Sequence, residues 1–325
     1  MKVCIYGAGA IGGWLGVKLA QAGCEIDVVA RGATLEALQR NGLALVSGGA
    51  RTAVPVRASA DPKALGVQQA VIVAVKAPAL PMVAQQIAPL LGPETIVLTA
   101  MNGVPWWFLQ GGFGGPLAGA QLEAIDPGGR IDAAIPARHV IGGVVHASCS
   151  LDAPGVVRHH FGNGLIVGEP SGEATPRAQA LCELLARAGL DARLSPQIQK
   201  DIWYKLWGNM TVNPISALTG ATTDLILNDD LVRGFISAIM LEARDIGARI
   251  GVPIAETPED RHAVTRKLGA FKTSMLQDVE AGRAVELDAL VSSVRELGQR
   301  AGVPTPFTDA LLGLARLQAR QRGLY

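Results

Sequence analysis

Between a short apolar run, Lys2–Tyr6, and a stretch with helical spacing of Ile11, Leu15 and Leu19, the chain places Gly7-Ala8-Gly9-Ala10-Ile11-Gly12. A G-x-G-x-x-G turn in this context sets the first step of the fold. Gly7 permits the tight turn out of the strand, Gly9 has no Cβ to block a pyrophosphate, and Gly12 lets the helix pack close to the sheet. The backbone amides of Gly7, Ala8, Gly9, Ala10, Ile11 and Gly12, with the positive end of the helix, then face phosphate. The same residues imitate a secretory leader, with Lys2, an apolar run and Ala20-Gln21-Ala22. Gly7, Gly9, Gly12, Gly13 and Gly16 argue against that reading, because each weakens a leader helix by up to about 1 kcal/mol relative to Ala.

Glu25–Ala30 reads as a second strand, closed by Arg31. In a dinucleotide site the residue at this strand end faces the adenosine ribose: a carboxylate accepts the 2′-hydroxyl, and a cation accepts a 2′-phosphate. Arg31 therefore predicts NADPH, and Asp27 does not compete because it lies in mid-strand. Val71–Val75, ended by Lys76, and Thr95–Thr99, followed by Met101-Asn102-Gly103, are further apolar strands. They alternate with helical patterns at Thr34–Arg40 and Ala79–Leu91, the mark of a doubly wound parallel sheet. Ligands of such sheets bind at the carboxyl ends of the strands, so the glycine turn, Arg31, Lys76 and Asn102 fall along one rim. Strands at Val140–His146, Gly155–His160 and Leu165–Val167 extend the sheet antiparallel. Trp106-Trp107-Phe108 reads either as an apolar lid beside that rim or as a surface cluster.

Composition narrows the class. A net charge of +1 supplies no general field for nucleic acid or an acidic membrane surface. The longest uncharged stretch, Thr95–Leu122, is broken by Pro105, Pro116 and several glycines, so it is not a membrane-spanning helix. The four cysteines show no CxxC or zinc-ligand spacing, which predicts a reduced, cytoplasmic protein without a metal. Glycine is uneven: 28 of the 39 precede residue 196.

After Ser195-Pro196 the strand pattern stops and helices take over. The expected architecture is α/β: an N-terminal Rossmann-type domain over 1–195 and an all-helical C-terminal domain over 196–325. Helical spacing continues at Leu231–Ile250, Arg261–Glu280 and Asp288–Ala301, with Gly-Val-Pro stops at 251–253 and 302–304. Lys205, Asn209 and Asn213, spaced by four, form a polar stripe on a helix that otherwise carries Ile202, Trp203, Leu206 and Trp207. Asparagines are poor helix formers for a mere solvent face, which favours a stripe that lines a cleft.

Together, GAGAIGG, Arg31, VAVK ending at Lys76, MNGV with Asn102, IWYKLWGNMTVNPISALTG and TSMLQDVEAGRAVELD resemble the ketopantoate reductase (2-dehydropantoate 2-reductase) family over nearly the whole chain. The resemblance implies NADPH and reduction of 2-dehydropantoate to (R)-pantoate on the route to pantothenate and coenzyme A. It implies Lys205 as the general acid that protonates the carbonyl oxygen, and Glu286 as the acid that supports the lysine and bonds the developing hydroxyl. Asn102 matches the residue that orients substrate near the nicotinamide. Asn209 and Asn213 match substrate-binding asparagines, Ser274 matches the serine at the substrate carboxylate, and Lys76 matches a lysine near the nicotinamide. An ammonium beside a carbonyl that receives hydride both stabilises the alkoxide and supplies its proton. Burial against Trp203 and Trp207 would lower the lysine pKa while Glu286 would raise it, leaving the net direction open.

The aromatic run at Trp106–Phe108 departs from the smaller residues usual in the family, so a paralogous reductase of another 2-keto acid is the second reading. A non-catalytic NADPH sensor is a third, opposed by the presence of Lys205 and Glu286. The expected partner is a small 2-keto acid. The helical domain is of a kind that pairs as a homodimer, although no heptad seam stands out.

Overall fold

Six parallel strands make up one flank of the sheet, out to its edge, in the computed structural model, which describes residues 1–325. These are β1 (Lys2–Tyr6), β2 (Glu25–Val29), β5 (Arg57–Ser59), β6 (Ala70–Val73), β7 (Ile96–Thr99) and β8 (Val140–Ala153). Numbered among themselves they run 3-2-1-4-5-6, the doubly wound order in which the chain reverses direction beside β1. The strands β1, β6 and β7 are apolar because both faces are covered. The chain divides into two units: Met1–Met101 with Arg130–Ile198, and Asn102–Gly129 with Gln199–Tyr325. The sequence suggested one cut near residue 195; here Asn102–Gly129 groups with the helical unit.

In the first unit, β3 (Leu43–Ser47) and β4 (Ala50–Val54) form an antiparallel hairpin that joins the far end of the sheet through β9 (Val156–Gly168). The antiparallel extension is a single long β8–β9 hairpin, with β10 (Asp191–Leu194) added alongside β9. The expected short strands at 155–160 and 165–167 are thus one strand. Helices α1 (Ala10–Gln21), α2 (Gly32–Asn41), α3 (Leu80–Gln86), α4 (Arg130–Ala134) and α5 (Pro176–Arg187) complete this unit.

Helix α1 sits unusually close to the sheet. A Cβ on Gly13 would lie 2.5 Å from Val157, and one on Gly16 would lie 2.8 Å from Leu43. Backbone and side-chain atoms of the strands therefore fill the space that larger residues would need. Asp27, fully buried in β2, is bonded by Arg57 Nε at 2.9 Å and Nη2 at 2.6 Å and by Gln68 Nε2 at 2.8 Å. Burial pushes its pKa up, but those bonds and the Arg57 and Lys2 charges more than reverse it, leaving the carboxyl below its usual value.

The second unit is built on α6 (Ile198–Thr219), α7 (Thr223–Asn228), α8 (Asp230–Ile250), α9 (Pro258–Arg266), α10 (Ser274–Glu280), α11 (Ser293–Ala301) and α12 (Pro306–Gln321). Gly251 and Gly302 end α8 and α11 in left-handed conformations, as the Gly-Val-Pro signals suggested. One expectation fails here and another is refined. The pattern over Arg261–Glu280 is two helices, because Gly269, at φ 63°, breaks the first and Thr273 caps the second through Leu276 N at 3.2 Å. The pattern over Asp288–Ala301 opens with a π turn, Asp288–Ser292, before α11. Helix α12 went unread; buried Glu242 holds its first amides, Phe307 N at 2.8 Å and Thr308 N at 2.9 Å.

Trp106, Trp107 and Phe108 form neither a lid nor a surface cluster. All three are buried, and the Phe108 ring lies 6.0 Å from that of Trp203 on α6 and 5.4 Å from Phe113. Trp207 Nε1 donates to Met240 O of α8 at 2.7 Å. A helical unit needs bulky anchors where helices cross, and the aromatic segment supplies them to the hydrophobic core.

Candidate active site

The carboxyl ends of β1, β2, β6 and β7 are tied sideways by the chain that leaves them: Gly7 N to Val29 O at 3.2 Å, Ala74 N to Tyr6 O at 3.0 Å and Ala100 N to Val73 O at 2.9 Å. At this rim a cleft of about 290 Å³ is lined by Tyr6, Gly7, Ala8, Gly9, Arg31 and Met82, among others. Gly7 is at φ 98°, where a Cβ would also meet Val75 at 2.6 Å. A Cβ on Gly12 would lie 2.1 Å from Gly7 O, whereas nothing approaches within 4 Å of one on Gly9. The turn is therefore closed beneath and open above Gly9. Helix α1 begins at Ala10 with Gly9 as a cap that offers no side-chain bond, so its first amides face the open side. Ala10, Ile11 and Gly12 form the first turn of that helix.

Arg31 stands just past β2 with an exposed side chain, its Nη1 2.7 Å from Met82 Sδ. Asp27 faces the sheet interior with its oxygens engaged, which leaves Arg31 as the charged residue at this strand end. Lys76 precedes a short 3₁₀ turn, Ala77–Ala79, and is not among the residues lining the cleft. Sequence reasoning missed the α3 contribution: Ala79, Met82, Val83 and Gln86 present one helical stripe to the cleft, and the Gln86 Oε1 accepts from Tyr6 OH at 3.2 Å. Their i, i+3, i+4, i+7 spacing was visible but reads equally as a core face. The cleft fits a dinucleotide: free amides and a Cβ-free approach for pyrophosphate, an apolar flank on α3 and a cation at the end of β2.

In the second unit, Lys205 Nζ donates to Asn102 Oδ1 at 2.9 Å, joining two residues 103 positions apart. Burial pushes the Lys205 ammonium down to about 8, against an upward pull from the Glu286 carboxylate. The direction left open by the sequence is thus downward. Glu286 is itself buried, at 8% exposure. Asn209 and Asn213 follow Lys205 along α6, half-buried and buried respectively, before Pro214 interrupts the helix ladder. Ser274 is the exposed first residue of α10. The structure therefore brings Lys205, Asn102 and Glu286 together and sets the asparagines on the same helix, but shows no bond from Ser274 to them.

Asn102 is placed by the loop that follows it. Gly103 is at φ 84°, and a Cβ there would lie 2.4 Å from Ala289 O, which accepts from Val104 N at 2.8 Å. Only glycine fits so close an approach. Nucleophilic chemistry at cysteine has no support, since burial pushes the Cys4 and Cys149 thiols up to about 12. No helix is long and apolar enough to cross a membrane.

Comparison with known proteins agrees with this arrangement. Residues 3–106 match the family model for ketopantoate reductase PanE/ApbA, and residues 197–319 match the model for its C-terminal domain. A 2-dehydropantoate 2-reductase from Mesorhizobium japonicum is 49% identical, with 100% of each chain covered. A crystal structure from Ralstonia solanacearum, provisionally named a ketopantoate reductase, superposes with a TM-score of 0.95 at 60% identity over 99% of each chain. D-mandelate dehydrogenase with NADH and anilino(oxo)acetate shares the fold, with a TM-score of 0.86 at 20% identity over 100% of each chain. With a glycine turn built for a dinucleotide and a lysine lowered beside a carboxylate, the chain belongs to the ketopantoate reductase family of pyridine-nucleotide-dependent oxidoreductases.

Proposed function

We propose that this protein uses NADPH to reduce 2-dehydropantoate to (R)-pantoate. The observation that carries the reading is the Lys205 ammonium, held by Asn102 at 2.9 Å and lowered by burial to about 8. A proton donor with a pKa near working pH suits a reaction that turns a carbonyl oxygen into a hydroxyl. A bound nicotinamide supplies the hydride that forms the new C–H bond at C2. Lys205 Nζ stabilises the charge that develops on the oxygen and transfers its proton there, so the carbonyl becomes an alcohol and the lysine leaves as a neutral amine. Asn102 fixes the direction of Nζ, and Glu286 keeps the lysine protonated in its buried setting. Asn209, Asn213 and Ser274 bind the polar groups of the substrate, and Lys76 serves the nicotinamide end.

The preference for NADPH rests on Arg31, exposed at the end of β2, and on the engagement of Asp27 by Arg57 and Gln68. Burial of Trp106–Phe108 in the core of the second unit favours 2-dehydropantoate over an aromatic keto acid. NADPH oxidation measured over a panel of 2-keto acids tests the assignment. The expected result is the highest kcat/KM with 2-dehydropantoate; no advantage over aromatic or unbranched keto acids would refute it.

A further inference from the structure

Glu286 stands between two positions that the same distant segment grips. Val285 N, one residue before it, donates to Leu324 O at 3.1 Å. Tyr325 OH donates to Asp288 Oδ1 at 2.7 Å, two residues after it. The segment is itself anchored: Leu324 is buried, its N–H donates to Ala319 O at 2.8 Å, and the Arg320 guanidinium lies 5.3 Å from the centre of the Tyr325 ring. Tyr325 is thus tied to the first residue of the π turn, Asp288–Ser292.

That turn is not an ordinary stretch of helix. A π turn has one residue more than an α turn, forms only where its surroundings favour it, and recurs at functional sites. Here its carbonyl at Ala289 accepts from Val104 N at 2.8 Å and from Ser293 Oγ at 3.0 Å, and Gly103 packs directly against it. The residue before Gly103 is Asn102, the partner of Lys205. One turn therefore begins two residues after Glu286 and seats Asn102 through its second residue.

We propose that Tyr325 is a positioning residue that holds the Asp288–Ser292 turn in its π form and thereby aligns both Glu286 and Asn102 on Lys205. This rests on the reduction chemistry proposed above. Tyr325 touches neither substrate nor cofactor in this scheme; it acts through the turn.

The test compares wild type, Tyr325→Phe and Asp288→Asn in the pH dependence of 2-dehydropantoate reduction by NADPH. Each variant weakens or removes the same bond from one side. Both are expected to lower kcat about tenfold through misalignment of the donor, with KM for NADPH unchanged. Both are also expected to move the basic limb of the profile about half a unit to lower pH, because a displaced Glu286 no longer holds up the lysine. A purely structural tyrosine would lower the melting temperature and leave the limb in place, and that result in both variants would overturn the proposal. Lys205→Ala separates the two levels. If wild type has no basic limb that Lys205→Ala abolishes, the chemistry assigned to Lys205 fails and the role of Tyr325 fails with it. A limb that depends on Lys205 but ignores Tyr325 defeats the positioning role alone.

Discussion

The two units present polar groups by opposite means. In the first, the cleft is shaped by main chain: Gly7 at φ 98°, uncapped amides of α1, and a Cβ-free space above Gly9. In the second, polar side chains converge, and Lys205, Asn102 and Glu286 come from three separate stretches of sequence. Backbone donors are fixed once the fold forms and cannot titrate. Side-chain donors can be tuned, as the lowered Lys205 shows, but must be oriented by further contacts. The backbone cradle and the proposed proton donor therefore lie on different elements, and substitutions in each should leave the other's property intact.

The sharpest way to break this division is Lys205→Ala. Loss of the proton donor should reduce turnover by about 10²- to 10⁴-fold, while NADPH affinity, measured by fluorescence titration, stays near wild type. A comparable loss of NADPH binding would show that the two properties are not separable. Arg31→Ala approaches from the other side. Removing a charge-assisted contact to the 2′-phosphate should weaken NADPH about 10- to 100-fold, with NADH affinity and kcat at saturating cofactor little changed; equal losses for both cofactors would exclude the 2′-phosphate role. The mildest perturbation is pH alone. With Lys205 at about 8, ketone reduction should be flat below that value and fall tenfold per unit above it as the ammonium loses its proton. The reverse oxidation needs the neutral amine and should rise toward the same value, while NADPH affinity crosses pH 8 unchanged. A reduction rate that keeps rising beyond pH 9 would contradict the donor role.

The same contrast explains what could be read from sequence. The strand-turn-helix of residues 2–21 was legible because its spacing is local, although Gly7, Gly13 and Gly16 answer to Val75, Val157 and Leu43 far along the chain. The central strands were legible for a related reason, since strands covered on both faces are continuous apolar runs. The β3–β4 hairpin was not, because its half-exposed strands carry Ser47, Arg51 and Thr52 and take their register from β9, more than 100 positions later. Trp106–Phe108 read as a lid or a surface cluster because composition says nothing about which side of a loop faces a core. In the second unit the Lys205–Asn209–Asn213 stripe was visible from spacing alone. The roles of its partners came only through resemblance, because Asn102 and Glu286 reach Lys205 by tertiary packing that no local pattern encodes. Tyr325 and the π turn left no signal at all: a tyrosine after a helix has no marked partner, and a π turn shares the apolar spacing of the α-helix around it.

The three glycines of the first turn, alike in any motif, record different histories of constraint. Gly7 and Gly12 are surrounded by protein, so a library selected for folding alone would retain them. Gly9 has an ordinary φ of −74° and empty space where a side chain would go, so the fold has no stake in it. A stability selection would let Gly9 drift, and only a selection for cofactor use would hold it. Its invariance under one regime and freedom under the other would mark, at a single atom, where the requirements of the protein end and those of its ligand begin.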